Sequence, residues 1–486
     1  MTTMSPIAVP PLVPTPIPPM VAVRGYETDP GSGANPTGGP LITTAIPNPA
    51  SPAPALHLQA APAPAGMYSP GTPQFRYWDA AEAACRARNM WHAYAGLASW
   101  NPAVGAALPV LLDQGIDLNA FYDRHALNFF HASVAGRVVF SCESPDIVCH
   151  EEGHAVLDSV QPRLFSAGLT ECAAFHEAFG DISAMLSALQ LTQLRNDVLV
   201  ETSGVLYRSS RLSRLAEELG WAIRQLQPTA VDPDCLRNAV NAFVYHDPAT
   251  LPSRAPASSL SSEAHSFSRV FSSAFLLAVS NVFSTRPVRN EVTLLTVATE
   301  LAQLLVAAVR TAPVVPRYYA AVAGAMVSHA PAADHAAIRA AFIRKLILPT
   351  SFPIAGVTQA AVGFGAFQAT QTGPVTLAGA RYALDADVEV DGGDVPQGSR
   401  VAMRPMGMNG EELEDPSPDY AAHIFLTHLL QNERVVLPNE PEKTRTFSGH
   451  VKTHRLSKSG GTYKLERILF DCGLHTPTGE AHDTNE

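Results

Sequence analysis

The sequence predicts an α+β protein with a mostly helical central region and strand-rich segments on either side of it. Apolar residues recur with helical spacing through most of residues 171–348. Runs rich in aromatic and β-branched residues precede this block around residues 116–142, and similar runs follow it around 380–404 and 446–470. A further short helix is predicted around residues 104–113. Hydrophobic residues make up 46% of the 486 residues, which is enough to bury a sizeable core.

Composition divides the chain into four regions. Residues 1–75 contain 18 of the 41 prolines and only two acidic residues, which predicts a disordered or polyproline-like tail. Residues 76–349 form the main predicted domain. A linker rich in Gly, Ala, Thr and Gln is expected over residues 350–380, followed by a small α+β domain over residues 381–486. Within that last domain, Ser459-Gly460-Gly461 predicts a hairpin turn.

Charge and hydropathy exclude several classes of partner. The formal net charge is −11 and no Lys/Arg cluster is present, so no nucleic-acid partner is expected. No apolar run reaches the ~18 residues that a membrane span needs, and no secretory signal is visible. The location therefore stays open between the cytoplasm and export by a signal-independent route. We interpret the proline-rich tail as a spacer, with binding to a partner domain as the alternative.

The strongest chemical signal is the segment His150-Glu151-Glu152-Gly153-His154, on a helix predicted to begin at Asp146. Residues four apart lie on one face of a helix, so His150 and His154 can bind one metal ion. Zn²⁺ suits such a site because it accepts three protein ligands and keeps a position for water. Glu151 can take a proton from that water, whose pKa zinc lowers to about 7. Two unrelated histidines on one helix are the alternative interpretation. None of the six cysteines forms a CxxC pair, so no thiolate zinc site is expected.

The next predicted helix, over residues 171–189, offers a third ligand. Glu177 lies 23 residues after His154, which leaves room for a turn and a returning helix. Asp181 follows one helical turn later and can accept a hydrogen bond from the second ring nitrogen of a ligand histidine. The alternative is a solvated helix face. Apolar residues surround both acids, however, and a charge in such a run needs a partner.

Together these two segments resemble the thermolysin family of metallopeptidases, the gluzincins, which combine HExxH with a distant glutamate. The likeness covers about residues 78–348 and is strongest over residues 150–181. The resemblance implies a zincin-like catalytic domain, with a mostly helical C-terminal lobe and a small strand lobe. It also implies a zinc-dependent endopeptidase that acts on peptides or proteins. By resemblance, the site residues are the zinc ligands His150, His154 and Glu177, the base Glu151, and Asp181 as acceptor behind a ligand histidine.

Three further segments resemble substrate-binding elements of that family. Asn119-Ala120-Phe121-Tyr122 is similar to the family's edge strand, which implies that Asn119 and Ala120 bind the substrate backbone. Ala264-His265-Ser266 is similar to the segment whose histidine donates to the oxyanion, although a simple helix-start role is the alternative for His265. Arg237 is similar to the arginine that holds a substrate carbonyl group.

The sequence also departs from the family. Phe165 stands near the position of a tyrosine that assists the oxyanion, and His176 replaces the asparagine before the glutamate ligand. Leu260 stands where the acidic partner of His265 is expected, and Glu263 can substitute for it. Two other functions therefore stay open. One is a zinc-binding scaffold with little or no catalysis, and the other is hydrolysis of a non-peptide amide or ester.

Overall fold

The structure, a computed structural model, describes residues 22–31, 38–59, 62–350, 372–394, 413, 416–438 and 451–473. Within these residues the chain is a mixed α+β protein, which confirms the predicted fold class. The helices are α1 (Pro73–Ala95), α2 (Pro145–Val160), α3 (Arg163–Ser166), α4 (Thr170–Ala188), α5 (Thr192–Glu201), α6 (Glu217–Leu226), α7 (Ala264–Thr285), α8 (Glu291–Thr311), α9 (Tyr318–His329), α10 (Ala332–Arg344) and α11 (Pro418–Gln431). The strands are β1 (Ala22–Tyr26), β2 (Leu41–Ala45), β3 (Ala55–Leu58), β4 (Ala107–Leu111), β5 (Ala120–Tyr122), β6 (Leu127–Phe129), β7 (His131–Val134), β8 (Arg137–Phe140), β9 (Arg214–Leu215), β10 (Arg237–Asn238), β11 (Thr372–Leu377), β12 (Asp387–Asp394), β13 (Val435–Val436), β14 (His454–Ser459), β15 (Thr462–Arg467) and β16 (Phe470–Asp471).

The described strands form two five-stranded sheets and three two-stranded ribbons. The first sheet has the order β16-β5-β6-β4-β3, in which β4 runs parallel to both of its neighbours. The second sheet has the order β11-β12-β15-β14-β13, and all of it follows the helical block in sequence. Strand β16 follows β15 of the second sheet in sequence, but it joins the first sheet, antiparallel to β5.

Helices α2 and α4 pack against each other at the centre of the molecule, with α1 on α2 and α7 on α4. Helix α2 begins at Pro145, and the Ser144 side chain caps it by accepting a hydrogen bond from the Ile147 amide. Every side chain of α4 from Glu171 to Ala188 is buried. Because a helix buried on all faces leaves its charged groups without water, each of those groups needs a partner inside the protein.

The predicted disordered tail over residues 1–75 is wrong for the part of it that the structure describes. Strands β1 to β3 lie there, and the Tyr26 amide donates to Asp79 Oδ1 of α1 over 2.7 Å. The Arg88 guanidinium, also on α1, donates to four carbonyl groups within residues 48–54. Proline supplies no N–H for a ladder, but its carbonyl still accepts, so a buried arginine can order a proline-rich segment.

Two other predictions need correction. Residues 104–113 contain strand β4 instead of a helix, because this segment pairs with β3 and β6 and its burial alternates along the chain. The predicted linker over residues 350–380 is wrong at its end, where β11 pairs antiparallel with β12; residues 351–371 lie outside the described chain. The predicted hairpin is confirmed, with Ser459 opposite Thr462 across the turn.

The region after residue 372 has an apolar cluster of its own. Its buried members come mainly from β12, β14, β15 and α11, and they include Val388, Val390 and Leu426. Phe470 belongs instead to the main core of the helical region. The C-terminal unit, defined here as the described residues from 372 to 473, therefore has an apolar cluster that Ala173 of α4 joins, and its last strand enters the main core.

Two described helices, α7 and α8, are long and apolar enough to cross a membrane. In α7, 89% of the most apolar window is buried inside the protein, and in α8 the share is 50%. Core helices of a soluble protein pass the same test, so the absence of a membrane span stays a prediction.

Candidate metal centre

Two glycines allow α2 and α4 to approach closely at the HExxH segment. A Cβ atom on Gly153 would lie 2.8 Å from Cβ of Ser183 and 3.0 Å from Cα of Gly180. A Cβ atom on Gly180 would lie 2.6 Å from the His150 ring. The His150 imidazole therefore rests directly on the backbone of α4, which holds it toward the acids of that helix.

Four buried side chains meet between these helices and the end of β16: His150, His154, Glu177 and Cys472. Nε2 of His150 is 3.4 Å from Oε2 of Glu177, and Nε2 of His154 is 3.7 Å from Oε1 of Glu177. Sγ of Cys472 is 3.5 Å from His154 Nε2 and 3.6 Å from Glu177 Oε2. Zinc–ligand bonds of about 2.0–2.3 Å place neighbouring donors of a tetrahedral site roughly 3.3–3.8 Å apart.

These side chains fit a divalent metal ion. All four donor atoms lie within 4.8 Å of one another, and Nε2 of His150 is buried without a hydrogen-bond partner of good geometry. Two imidazoles, one carboxylate and one thiol form a donor set that suits Zn²⁺. The structure thus brings the three predicted ligands together and adds Cys472, against the expectation that no cysteine would contribute to a zinc site.

The second ring nitrogen of His150 faces Asp181, as the sequence predicts. Nδ1 of His150 is 3.2 Å from Asp181 Oδ1, and Nη2 of Arg237 donates to the same oxygen over 2.9 Å. Burial raises the pKa of Asp181, but Arg237 and His150 outweigh this effect and lower the pKa to about 2. Asp181 is therefore a fixed carboxylate that orients His150. Arg237 lies at the site, but its guanidinium is engaged with this carboxylate.

His154 is supported by His176, the residue that departs from the family pattern. Their Nδ1 atoms are 2.9 Å apart, so one ring donates to the other. Burial lowers the pKa of both rings well below the usual range, which keeps them neutral. If Nε2 of His154 binds a metal, its Nδ1 carries the proton and donates to Nδ1 of His176. His176 thus orients the His154 ring, as Asp181 orients the His150 ring.

Glu151 lies inside the protein beside these ligands. Both of its carboxylate oxygens are buried and lack a hydrogen-bond partner of good geometry. Burial raises the pKa of Glu151 to about 7, against the opposing effects of His150 and the neighbouring Cys472 thiol. A buried, unpaired carboxylate of this kind does not stabilise a fold, whereas a pKa near neutrality suits a general base.

His265 is the second residue of α7 and points at the same site. Its Nε2 is 3.2 Å from Glu177 Oε2, and its Nδ1 is 2.7 Å from Glu263 Oε1. Burial lowers the pKa of His265, but Glu177 and Glu263 outweigh it and raise the pKa to about 10. Glu263 therefore supplies the acidic partner whose usual position holds Leu260, and His265 can act as a charged hydrogen-bond donor.

The predicted substrate edge, Asn119 and Ala120, lies across the site from α4. Asn119 is buried and its Oδ1 accepts from the Ala120 amide over 2.8 Å. The Ala120 carbonyl accepts from the Cys472 amide over 2.9 Å. This edge is therefore already paired with a segment of the same chain.

A cavity of about 460 Å³ opens next to the four donors. Its lining includes Arg237, Glu263, His265, Cys472 and Gly473. Cys472 and Gly473 of the C-terminal segment form one side of this cavity, and Sγ of Cys472 is 3.6 Å from Glu177 Oε2.

Sequence reasoning missed two residues of this centre. His176 appeared only as a departure from a family pattern, although a histidine inside a fully buried helix needs a partner. Cys472 follows the last predicted strand and lies 295 residues after Glu177, so no local spacing relates it to the motif. The sequence shows only that six cysteines lack a CxxC pair, which does not single out Cys472. In the structure all six are free and buried.

No family model matches the chain, and no curated protein matches it. The relation to the gluzincins therefore stays a prediction that depends on the residues described above.

Proposed function

We propose that this protein is a zinc-dependent hydrolase with a zincin-like catalytic domain, and that it cleaves peptide bonds. The main supporting observation is the convergence of His150, His154 and Glu177, with Glu151 unpaired beside them. A zinc-binding scaffold without catalysis needs only the metal ligands and has no use for Glu151 as a base. A carboxylate that is buried beside the ligands and has a raised pKa favours a role in chemistry.

Zinc held by these residues would polarise a water molecule and the scissile carbonyl group. Glu151 takes the proton of the attacking water and later passes it to the leaving amine. His265, charged and held by Glu263, donates to the oxyanion that develops in the transition state. Asp181 and His176 keep the two ligand rings oriented throughout.

The substrate is an extended chain that pairs with β5. Ala120 carries a backbone carbonyl that accepts from an antiparallel segment in this structure, which is the way an edge strand binds a peptide. Asn119 uses its side chain to fix the Ala120 amide. Phe165 offers no hydroxyl group near the site, so oxyanion stabilisation falls to His265 and the metal.

A zinc-binding scaffold is the second candidate, and one observation favours it. With Cys472 the donor set has four members, and closed four-ligand sites are typical of structural zinc. The two candidates differ in what happens when Cys472 is removed. A catalytic site gains an open position, whereas a structural site loses part of its stability.

The test compares Cys472→Ala with Cys472→Ala/Glu151→Gln, both as full chains loaded with zinc. We expect one zinc per chain in both forms, and cleavage of an unstructured protein such as casein only with Glu151 present. The expected loss is about 10²–10⁴-fold, the usual contribution of a general base. Equal cleavage by the two forms would remove Glu151 from the mechanism, and zinc without cleavage in either form would favour the scaffold.

A further inference from the structure

The segment Leu469–Gly473 lies in the cleft where a substrate is proposed to bind. Strand β16 pairs antiparallel with β5, with Phe470 opposite Tyr122 and Asp471 opposite Phe121. The ladder continues through the Cys472 amide, which donates to the Ala120 carbonyl. The chain thus supplies its own extended peptide to the substrate edge.

Residues on both sides of Cys472 fix the position of this segment. The Phe470 ring stacks on His176 with ring centroids 3.9 Å apart, and Phe165 meets it edge-on at 5.4 Å. Gly473 follows the thiol, and a Cβ atom there would lie 2.4 Å from Asn119 Oδ1 and from the Leu118 carbonyl. An aromatic anchor on one side and a glycine on the other set the depth at which Cys472 enters the site.

The C-terminal unit makes further contacts with the main domain besides the pairing of β16 with β5. The Gly168 amide donates to the Asp391 carbonyl over 2.8 Å, and Nε of Arg467 donates to the Phe165 carbonyl over 2.9 Å. Ser262, next to the start of α7, is 2.8 Å from Nδ1 of His428 on α11. These three contacts are hydrogen bonds at a boundary that apolar residues also cross, with Ala173 in the C-terminal cluster and Phe470 in the main core. An interface between two units of one chain can open unless it is large and apolar.

A metal ion held by His150, His154 and Glu177 would have Cys472 at its fourth position, where hydrolysis needs a water molecule. Its sulfur atom is in reach of His154 and Glu177 and also neighbours Glu151. A thiolate in the fourth position of a zinc site would exclude water from the ion and would separate the base from it. The Cys472 donor and the occupied edge strand belong to one segment, and both support the same interpretation.

We propose that the C-terminal unit is a built-in inhibitor of the site, and that Cys472 holds it closed as a fourth metal ligand. This inference rests on the proposed hydrolase function. On metal binding the Cys472 thiol releases its proton to solvent as the sulfur–metal bond forms. When the segment leaves, a water molecule takes the fourth position and the sulfur takes up a proton. The chain is latent until the C-terminal unit is displaced or cut away.

Cobalt(II) substitution tests the ligand independently of activity. Full-length protein loaded with Co²⁺ should show the near-ultraviolet charge-transfer band of a thiolate bound to cobalt. The band should disappear in Cys472→Ser and persist in Cys85→Ala, a matched control on α1 whose thiol is buried outside the four donors. Absence of the band in the unchanged protein would overturn the proposal.

Activity tests the latency. A tethered inhibitor acts at an effective concentration of about millimolar, so zinc-loaded Cys472→Ser should cleave casein at least about tenfold faster than the unchanged chain. Phe470→Ala keeps the thiol but loses the ring contacts, and it should show an intermediate rate. Cys85→Ala should stay as slow as the unchanged chain. The same rate for the unchanged chain and Cys472→Ser would overturn the latency and leave the hydrolase function intact.

Two further outcomes separate this inference from the proposed function. If Cys472→Ser and Phe470→Ala bind zinc but neither cleaves any substrate, the hydrolase function is wrong although Cys472 is a ligand. If Cys472→Ser loses zinc and unfolds at a much lower temperature, Cys472 is a structural ligand and the inhibitor role is wrong. Limited proteolysis after residue 349 followed by gain of activity would support the inhibitor role without any substitution.

Discussion

The two walls of the candidate metal centre are built in different ways. The helical wall consists of α2 and α4, whose side chains come from one continuous stretch of the sequence and are buried throughout. The strand wall consists of β5 and β16, which come from distant parts of the chain and meet through two short strands. The helical wall supplies three donors and the base, whereas the strand wall supplies one donor and a paired edge. Both walls reach the main core, the second through Phe470. On the inhibitor proposal, only the β16 pairing of the second wall is exchanged for a substrate.

The largest expected effect is the loss of zinc affinity when a ligand on the helical wall is removed. Zinc binding free energies of about 10–16 kcal/mol shared among four ligands give roughly 2.5–4 kcal/mol for each ligand, about 70- to 900-fold in affinity. We expect His154→Ala to lose stoichiometric zinc in a chelator competition titration. Asn119→Ala, on the strand wall, should retain it. Equal losses would show that the two walls bind the metal as one unit.

The supports of the ligands should have a smaller effect. His176→Leu removes the ring that accepts from His154 Nδ1, and loss of such a partner typically lowers metal affinity about 10–100-fold. His176→Gln keeps a side-chain carbonyl acceptor and should recover part of that loss in the same titration. If both variants bind zinc as tightly as the unchanged protein, His176 is a packing residue only.

The helical wall could be predicted because its information is local. Residues four apart face the same way on a helix, so His150 and His154 identify a metal site without any knowledge of the fold, and Glu177 follows from the next helix. The pairing of Glu263 with His265 was also within reach, since the two are neighbours in sequence. The prediction that Asn119 and Arg237 lie near the centre came from the family resemblance.

The strand wall could not be predicted, because its partners are set by tertiary packing. Nothing near Cys472 in the sequence indicates that β16 joins β5. The same limit explains the error over residues 1–75, where proline content suggested disorder. There a single side chain, Arg88 on α1, donates to four carbonyl groups within residues 48–54, and these contacts span 34 to 40 residues. Composition indicates whether a segment can form ordered structure by itself. The N-terminal segment and β16 are both held in place by contacts with distant parts of the chain.

A still smaller effect tests how tightly the helical wall is packed. In Gly180→Ala the new methyl group would lie 2.6 Å from the His150 ring, so the imidazole or the helix must shift. Such overpacking costs about 1–3 kcal/mol, and we expect roughly tenfold weaker zinc binding. Gly461→Ala, in the hairpin of the C-terminal unit, is the matched control because its Cβ would meet nothing within 4 Å. Unchanged zinc affinity in Gly180→Ala would mean that the close approach of α2 and α4 does not position His150.

The last expected effect is on folding stability instead of zinc binding, and it concerns Asp29, which joins the N-terminal segment to the start of the helical wall. Its carboxylate accepts from the capping Ser144 over 2.6 Å and from the Glu218 amide over 2.8 Å. Burial raises the pKa of Asp29 to about 6, against those hydrogen bonds, and the nearby Glu217 adds to the rise. The same acid cluster includes Asp146, whose pKa burial and Asp29 raise well above its usual range.

Because the folded pKa of Asp29 is above its unfolded value, the native protein binds the proton more tightly. Its contribution to stability is therefore full below about pH 4 and falls as the pH rises through about 6, by at most about 1.4 kcal/mol per pH unit. Asp29→Asn keeps a carbonyl acceptor and an N–H group but cannot ionise. We expect the unfolding free energy from denaturant titrations to decline less steeply between pH 4 and 6 in this variant than in the unchanged protein. Parallel curves would show that Asp29 titrates alike in both states, and the N-terminal segment would then have no ionic role at the start of α2.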